Sequence, residues 1–188
     1  MSRVVDRGAI AAAYVGIGMA VVIAISFLLV IPIEPIYWLL SLPAGLLIGY
    51  YANARSERQA GPWSRILANG LFAGFVTAAT MALLLLCVKA LFFYADNGYR
   101  DASLGSRLEC RSGPECVYAR YLVDGRGPGL EAAGVTDVGS FTSFYWSQQL
   151  STMTTVFVLA LVGGLGGALV YGVARPKPGR ADPAVEST

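Results

Sequence analysis

The sequence predicts an all-α integral membrane protein, with four transmembrane helices in a compact bundle and a small disulfide-stapled extracytoplasmic loop between the third and fourth helices. Of the 188 residues, 55% are hydrophobic and only 14% are charged, whereas a soluble domain carries about 25% charged residues. The charges also cluster, which leaves apolar stretches long enough to cross about 30 Å of hydrocarbon. Two cysteines in the longest polar segment predict the staple.

Four apolar segments qualify as transmembrane helices, since a helix needs about 20 residues to cross the bilayer core. They are residues 9–31, 36–52, 68–94 and 148–174. The third is long enough to tilt and carries Lys89 near its end. The second is the shortest and has Pro43 in its middle, but its partial hairpin with the first segment favours a span. The apolar part of the first segment is much longer than the apolar region of a signal peptide, which has 7–15 residues, and this favours a retained anchor.

The distribution of charge orients these segments, because cytoplasmic loops of membrane proteins carry an excess of Lys and Arg. Basic residues flank one set of segment ends: Arg3, Arg7, Arg55, Arg58, Arg65, Arg175, Lys177 and Arg180. Acidic residues dominate the segment after Tyr94. We therefore expect a cytoplasmic N-terminus (1–8), a cytoplasmic loop (53–67), an extracytoplasmic cap (95–147) and a disordered cytoplasmic tail (175–188). The expected location is the plasma (inner) membrane, and the Ala-, Gly- and Arg-rich composition is typical of a bacterium.

The two cysteines of the long polar segment predict a structural disulfide. A Ser-Gly-Pro turn between Cys110 and Cys116 lets the thiols approach, and the extracytoplasmic side is oxidising. A staple over so short a loop stabilises by about 2–3 kcal/mol in the chain-entropy description. A metal clip and a redox pair are the alternatives, but zinc needs more ligands than two thiols and the spacing is not Cys-x-x-Cys. Cys87, in the third segment, is expected to be buried and unpaired.

Around this staple the sequence predicts a small cap with little regular structure. Residues 116–125 alternate well enough for one short strand that ends in an Asp-Gly turn. Residues 125–134 predict a glycine-rich connector with one helical turn. Because the cap has few apolar residues of its own, we expect it to rest on the membrane surface or on a partner.

Small residues recur at every fourth position of all four segments, and such rows lie on one helix face. In lipid, helices associate through close packing of small residues, because the hydrophobic effect no longer drives helices together. The rows predict close helix contacts inside the bundle or, on the fourth segment, with another subunit. The expected contact positions are Gly16, Gly45, Gly49, Gly70, Gly74, Gly163, Gly164, Gly167, Ala168 and Gly172.

Polar residues near the outer ends of the segments predict a small pocket open to the outside, because polar groups at membrane depth are costly and often functional. The candidate lining residues are Glu34, Lys89, Gln148, Thr152 and Thr155. The alternative is structural: Lys89 can extend its ammonium to the headgroups, and Ser and Thr hydroxyls can bond to their own helix backbone.

Several classes of function are excluded by the composition. The chain has no histidine, which removes the commonest general acid/base and a frequent metal ligand. No carboxylate lies near the expected midplane, where ion-coupled transporters bind their ions. We therefore expect no catalytic site, metal or cofactor. The net charge of +2, without a basic run, gives no indication of nucleic acid binding.

Two hypotheses for function remain. The first is a non-catalytic accessory, assembly or structural subunit of a larger membrane complex, whose partners are the lipid bilayer and other membrane subunits. The second is a small-solute permease or channel, or a lipid-binding protein, that works as an oligomer or through the outer polar pocket.

Overall fold

The computed structural model describes residues 5–29, 34–56, 61–95 and 110–174, with side chains at all of these except 27–29 and 34–38. This part of the chain is helical and contains no strand. The helices are α1 (Arg7–Leu29), α2 (Glu34–Ala54), α3 (Trp63–Ala95), α4 (Pro114–Val123), α5 (Gly127–Ala132) and α6 (Val138–Ala174). The long helices α1, α2, α3 and α6 form a bundle, and the short helices α4 and α5 form the cap.

Within the described residues, three helices are long and apolar enough to cross a membrane: α1, α3 and α6. The apolar part of α2 within the described side chains is shorter, spanning Leu39–Ala54. All three begin before their predicted segments: α1 at Arg7 rather than at 9, α3 at Trp63 rather than at 68, and α6 at Val138 rather than at 148. The hydropathy pattern misses the start of α6 because polar Ser, Thr and Gln residues occupy much of its first fourteen positions.

The predicted strand in the cap is wrong, because residues 114–123 form helix α4. Pro114 occupies the first turn, where its fixed φ favours a helix and its missing N–H costs no hydrogen bond. Val117 and Tyr121, four residues apart, both pack into the apolar cluster of the cap. A spacing of four places both side chains on one face of a helix, whereas the alternation in the sequence suggested a strand. The predicted connector that follows contains the short helix α5.

The four long helices alternate in direction along the chain, so that the contacting pairs α2/α6 and α1/α3 are parallel. α1 and α2 are antiparallel, since Gly8 at the start of α1 lies against the backbone of Arg55 just after α2. α3 is antiparallel to α6, since Gly70 packs on Ala168 near one end while Phe93 stacks on Tyr145 near the other. The start of α1 and the end of α6 therefore lie at the same end of the bundle, and the cap lies at the opposite end.

Helix α6 approaches α2 so closely that the two backbones touch. A Cβ added at Gly163 would collide with the carbonyl oxygen of Leu42, and one at Gly167 with the carbonyl oxygen of Leu46. On the α2 side, Gly49 stands in the same way against the carbonyl oxygen of Gly164. Glycine hydrogens fill these positions, which brings Cα–H groups against carbonyl oxygens; such contacts contribute about 0.5–1 kcal/mol each.

The adjacent face of α6 contacts α3 almost as closely. A Cβ added at Gly164 would lie 2.8 Å from the Cα of Gly74 and 3.0 Å from the carbonyl oxygen of Gly70. A Cβ at Gly70 would lie 2.5 Å from the Cβ of Ala168. The small-residue row of α6 is thus occupied by α2 and α3 of the same chain.

Helix α1 completes the bundle by packing on α2 and α3. A Cβ at Gly16 would collide with the side chain of Thr77, and Ala9 and Ala12 lie fully buried in one cluster with Ile48 and Ala73. Thr77 turns its hydroxyl back to the carbonyl of Ala73, 2.9 Å away, so that its polar group is satisfied within α3.

A single added methyl group tests the contact between α6 and α3. Gly164→Ala should lower the free energy of unfolding in detergent by about 1–3 kcal/mol, because the new Cβ overpacks against the backbone of Gly74. Gly166→Ala is the matched control, since nothing lies within 4 Å of a Cβ there. It should be neutral or stabilise by up to about 1 kcal/mol, because Ala favours a helix over Gly. Equal effects of the two changes on thermal unfolding would contradict the close contact.

Candidate functional site

The disulfide that the sequence predicts is present. It links two residues of the cap, Cys110 and Cys116, whose Cα atoms are 5.4 Å apart. Gly113 lies between them with φ 137° and ψ −178°, a conformation that is essentially restricted to glycine. The disulfide therefore ties Cys110, which precedes α4, to the first turn of that helix. Cys87, which was expected to be buried, is free and lies on the exposed face of α3.

Phe93 anchors the cap to the bundle. Its ring, 1% exposed, stacks on Tyr145 at 4.4 Å between centroids and lies 6.4 Å from Phe141. From the cap, Tyr118 and Tyr121 pack on Phe141 at 5.1 Å and 5.0 Å. Aromatic pairs at these distances contribute about 0.5–1.5 kcal/mol each beyond the area that they bury.

The apolar cluster beneath the cap therefore includes residues of the cap and residues of both long helices. Its buried members are Phe93, Val117, Leu130, Val135, Phe141 and Tyr145. The cap rests on the end of α3 and the start of α6, a support that the sequence did not predict because α6 begins ten residues before its predicted apolar segment. The cap is therefore packed against the bundle through a shared apolar cluster.

Asp137 is the N-cap residue of α6 and exchanges hydrogen bonds with Ser140. Its Oδ1 accepts a hydrogen bond from the backbone N–H of Ser140 at 2.7 Å, while the Ser140 hydroxyl oxygen accepts from the N–H of Asp137 at 3.1 Å. The backbone N–H of Ser140, followed by the Ser140 side chain, lowers the pKa of the Asp137 carboxyl, because these bonds stabilise its charged form. This cap allows α6 to start ten residues before its apolar stretch.

A polar layer lies between the apolar cluster of the cap and the apolar core of the bundle, and it contains Lys89 and Gln149. On α3, Lys89 falls four residues after Leu85 and four before Phe93, both almost fully buried. On α6, Gln149 falls four residues before Met153 and four after Tyr145. The two pairs that flank the layer are in contact across the helices, since Leu85 and Met153 share one core cluster and Phe93 stacks on Tyr145.

Gln149 is the residue of this layer that sequence reasoning missed. Its side chain is 4% exposed, and its Oε1 has no hydrogen-bond partner among the described residues. A buried acceptor in that state costs about 1–3 kcal/mol unless something donates to it. The signal for Gln149 is the periodic row formed with Phe141, Tyr145 and Met153, which defines the buried face of α6.

The residues predicted to line the outer pocket differ in their burial. Lys89 is half-buried within the bundle and Thr152 is half-buried, but Gln148 and Thr155 are exposed. The hydroxyl of Thr155 donates to the carbonyl of Ser151 at 3.1 Å, as expected from the structural alternative. Glu34 is the first residue of α2, and its side chain lies outside the described part of the chain.

A second polar cluster, at the end of the bundle away from the cap, is built on Asp6. One carboxylate oxygen accepts from the backbone N–H groups of Gly8 at 2.8 Å and Ala9 at 3.3 Å, which caps α1. The other oxygen accepts from the hydroxyl of Ser56 and from the side-chain amide of Asn69 at 3.3 Å. Asp6 thus joins the start of α1 to residues that follow α2 and begin α3.

Two buried amides complete this cluster. Asn69 donates to Asn53 Oδ1 at 3.5 Å, and Asn53 donates to the carbonyl oxygens of Gly49 and Ile66, both at 3.1 Å. Both asparagines are 1% exposed, and hydrogen bonding makes such burial tolerable. We interpret this cluster as structural. An Asp directly before the first helix signals the cap at Asp6, but residues so far apart along the chain give no pattern for the rest.

No family model, curated protein or solved structure matches this chain. Among the described residues no group of three His, Cys, Asp or Glu side chains is placed to hold a metal ion. At the ends of the bundle the described residues form a disulfide, helix caps and hydrogen-bonded polar clusters.

Because Asp137 is the N-cap residue of α6, the stability of the first turn of α6 should depend on pH in the acid range. Because the folded pKa is lowered, the stabilisation is fully present above the ordinary value of 3.8 and is lost as the pH falls through the folded value. Asp137→Ala should increase hydrogen exchange in the first turn of α6 at neutral pH, and the difference from the unchanged protein should shrink at acid pH. Ser143→Ala is the control, since that exposed hydroxyl bonds only within the helix. A pH-independent difference would contradict this assignment.

Proposed function

We propose that this protein crosses the plasma membrane four times, with both termini in the cytoplasm, and acts as a non-catalytic accessory subunit of a larger membrane complex. The fourth crossing is α2. Its 21 residues measure about 32 Å at 1.5 Å per residue, comparable to the hydrocarbon thickness of about 30 Å. It packs along its length between helices of spanning length, as the contacts of Gly45 with Ala160 and of Asn53 with Ile66 indicate.

The observation that carries the proposal is the rigidly held cap. An aromatic cluster holds α4 on the ends of α3 and α6, and a disulfide ties the first turn of α4 to Cys110, so that the cap offers a surface of fixed shape for docking. At the end of α4, Leu122 and Val123 are 45% and 44% exposed. They lie outside the helices of spanning length, where exposed apolar side chains favour contact with another protein. The glycine rows of α6 do not support this step, because α2 and α3 occupy them.

The orientation is tested by cysteine labelling on intact cells. After mild reduction, a membrane-impermeant thiol reagent should label Cys110, because the basic residues at the other end of the bundle place the cap outside. Ser64→Cys, at an exposed position near the start of α3, should react only after lysis. The reverse pattern, with Ser64→Cys labelled on intact cells and Cys110 protected, would refute the orientation.

Membership of a complex is tested by extraction of the tagged chain in mild detergent, followed by native mass measurement. We expect a mass that includes other polypeptides besides the 19.9 kDa chain. Leu122→Glu together with Val123→Glu should release them without lowering the thermal stability of the chain itself, because both side chains are exposed. Glu131→Lys is the control for a charge change elsewhere on the exposed cap. A monomer or a homo-oligomer in the unchanged protein would contradict the proposal.

A further inference from the structure

The layer of Lys89 and Gln149 separates two apolar clusters of α3 and α6. Among the described residues of these two helices, it contains the buried side-chain acceptor that lacks a hydrogen-bond partner, Gln149 Oε1. Below it lies the core around Leu85 and Met153, and above it the cluster around Phe93. Gln149 is 4% exposed and Lys89 is half-buried, so Lys89 is the side chain of this layer that reaches the surface.

Depth along the helices places this layer at the level of lipid headgroups. Gln149 lies 25 residues before Ala174, and Lys89 lies 26 residues after Trp63, by subtraction of the residue numbers. At 1.5 Å per residue both are about 38 Å from the cytoplasmic end of the bundle. That distance exceeds the hydrocarbon thickness of about 30 Å and falls within the total of about 40–45 Å that includes both headgroup regions.

The two side chains together specify the chemistry of a ligand. The Oε1 of Gln149 can only accept a hydrogen bond, so that it needs a donor such as a hydroxyl or an ammonium group. Lys89 has a contact within the protein, but an ammonium has three N–H donors and attracts phosphate as a point charge. A group that satisfies both carries an anionic phosphate and, a few atoms away, a hydrogen-bond donor.

We propose that Lys89 and Gln149 bind the headgroup of a glycerophospholipid of the outer leaflet, with the phosphate at Lys89 and the headgroup hydroxyl or ammonium donating to Gln149 Oε1. Phosphatidylglycerol and phosphatidylethanolamine have such a donor. Phosphatidylcholine has none, because its nitrogen carries three methyl groups. The site rests on the proposed placement of the helices in the membrane but not on membership of a complex.

The test is lipid retention by the full chain, measured by native mass spectrometry after incubation with equimolar lipids of identical acyl chains. The unchanged protein should retain phosphatidylethanolamine or phosphatidylglycerol over phosphatidylcholine. Gln149→Met, which preserves volume and removes the acceptor, should reduce that preference by about tenfold, the equivalent of one hydrogen bond of about 1.4 kcal/mol. Lys89→Met should reduce retention of all three lipids, because all three carry the phosphate.

Gln148→Met is the matched control, since it makes the same change at the neighbouring exposed position, and it should retain the preference. No preference in the unchanged protein would overturn the proposal. So would an equal loss of stability for Gln149→Met in every lipid, because the partner of Oε1 would then be within the chain or a water molecule. Soluble phosphoethanolamine or glycerol phosphate that competes as well as the lipid itself would show that the ligand is a free polar anion, which would also overturn it.

Discussion

The structure depends on the backbone-to-backbone approach of α6 to α2 and α3. Water does not separate helices in a bilayer, and so association must come from close packing and weak polar contacts. The Gly163 and Gly167 face of α6 meets α2, while the Gly164 and Ala168 face meets α3. Because both faces belong to one helix, α6 acts as the central element against which the other two are fixed.

The length of α6 connects this packing to the cap. With 37 residues, it continues past the bundle as a support for α4 and α5. Asp137 makes the extension possible by capping its first turn, and Phe141 and Tyr145 supply its contact with Phe93. The same helix therefore sets the spacing of the bundle, carries the cap and holds Gln149 at the boundary between them.

Much of the architecture is predictable from local patterns. The four helices of the bundle follow from apolar segments, the disulfide from two cysteines around a Ser-Gly-Pro turn, and the close contacts involve glycines that recur at intervals of four. Local patterns fail where tertiary contacts determine the secondary structure or the burial of a side chain. Residues 116–125 alternate like a strand, but Pro114 and the packing of Val117 and Tyr121 into the apolar cluster of the cap favour a helix. The pocket residues Gln148 and Thr155 are polar, but they are exposed, and the buried position belongs to Gln149. Gln149 is buried because it lies on the same face of α6 as Tyr145 and Met153. A hydropathy average does not show which face of a helix a residue occupies.

The backbone contacts of α6 with α2 and α3 can be measured directly in a lipid bilayer, with no change to the sequence. In bilayers, magic-angle-spinning NMR on protein labelled with ¹³C at glycine Cα should give short-mixing cross-peaks between Gly74 and Gly164 and between Gly45 and Gly163. Those pairs lie on different helices and come close only if the backbones meet. If the spectra contain only correlations between glycines near each other in sequence, the backbone contacts do not exist and the account of the bundle is wrong.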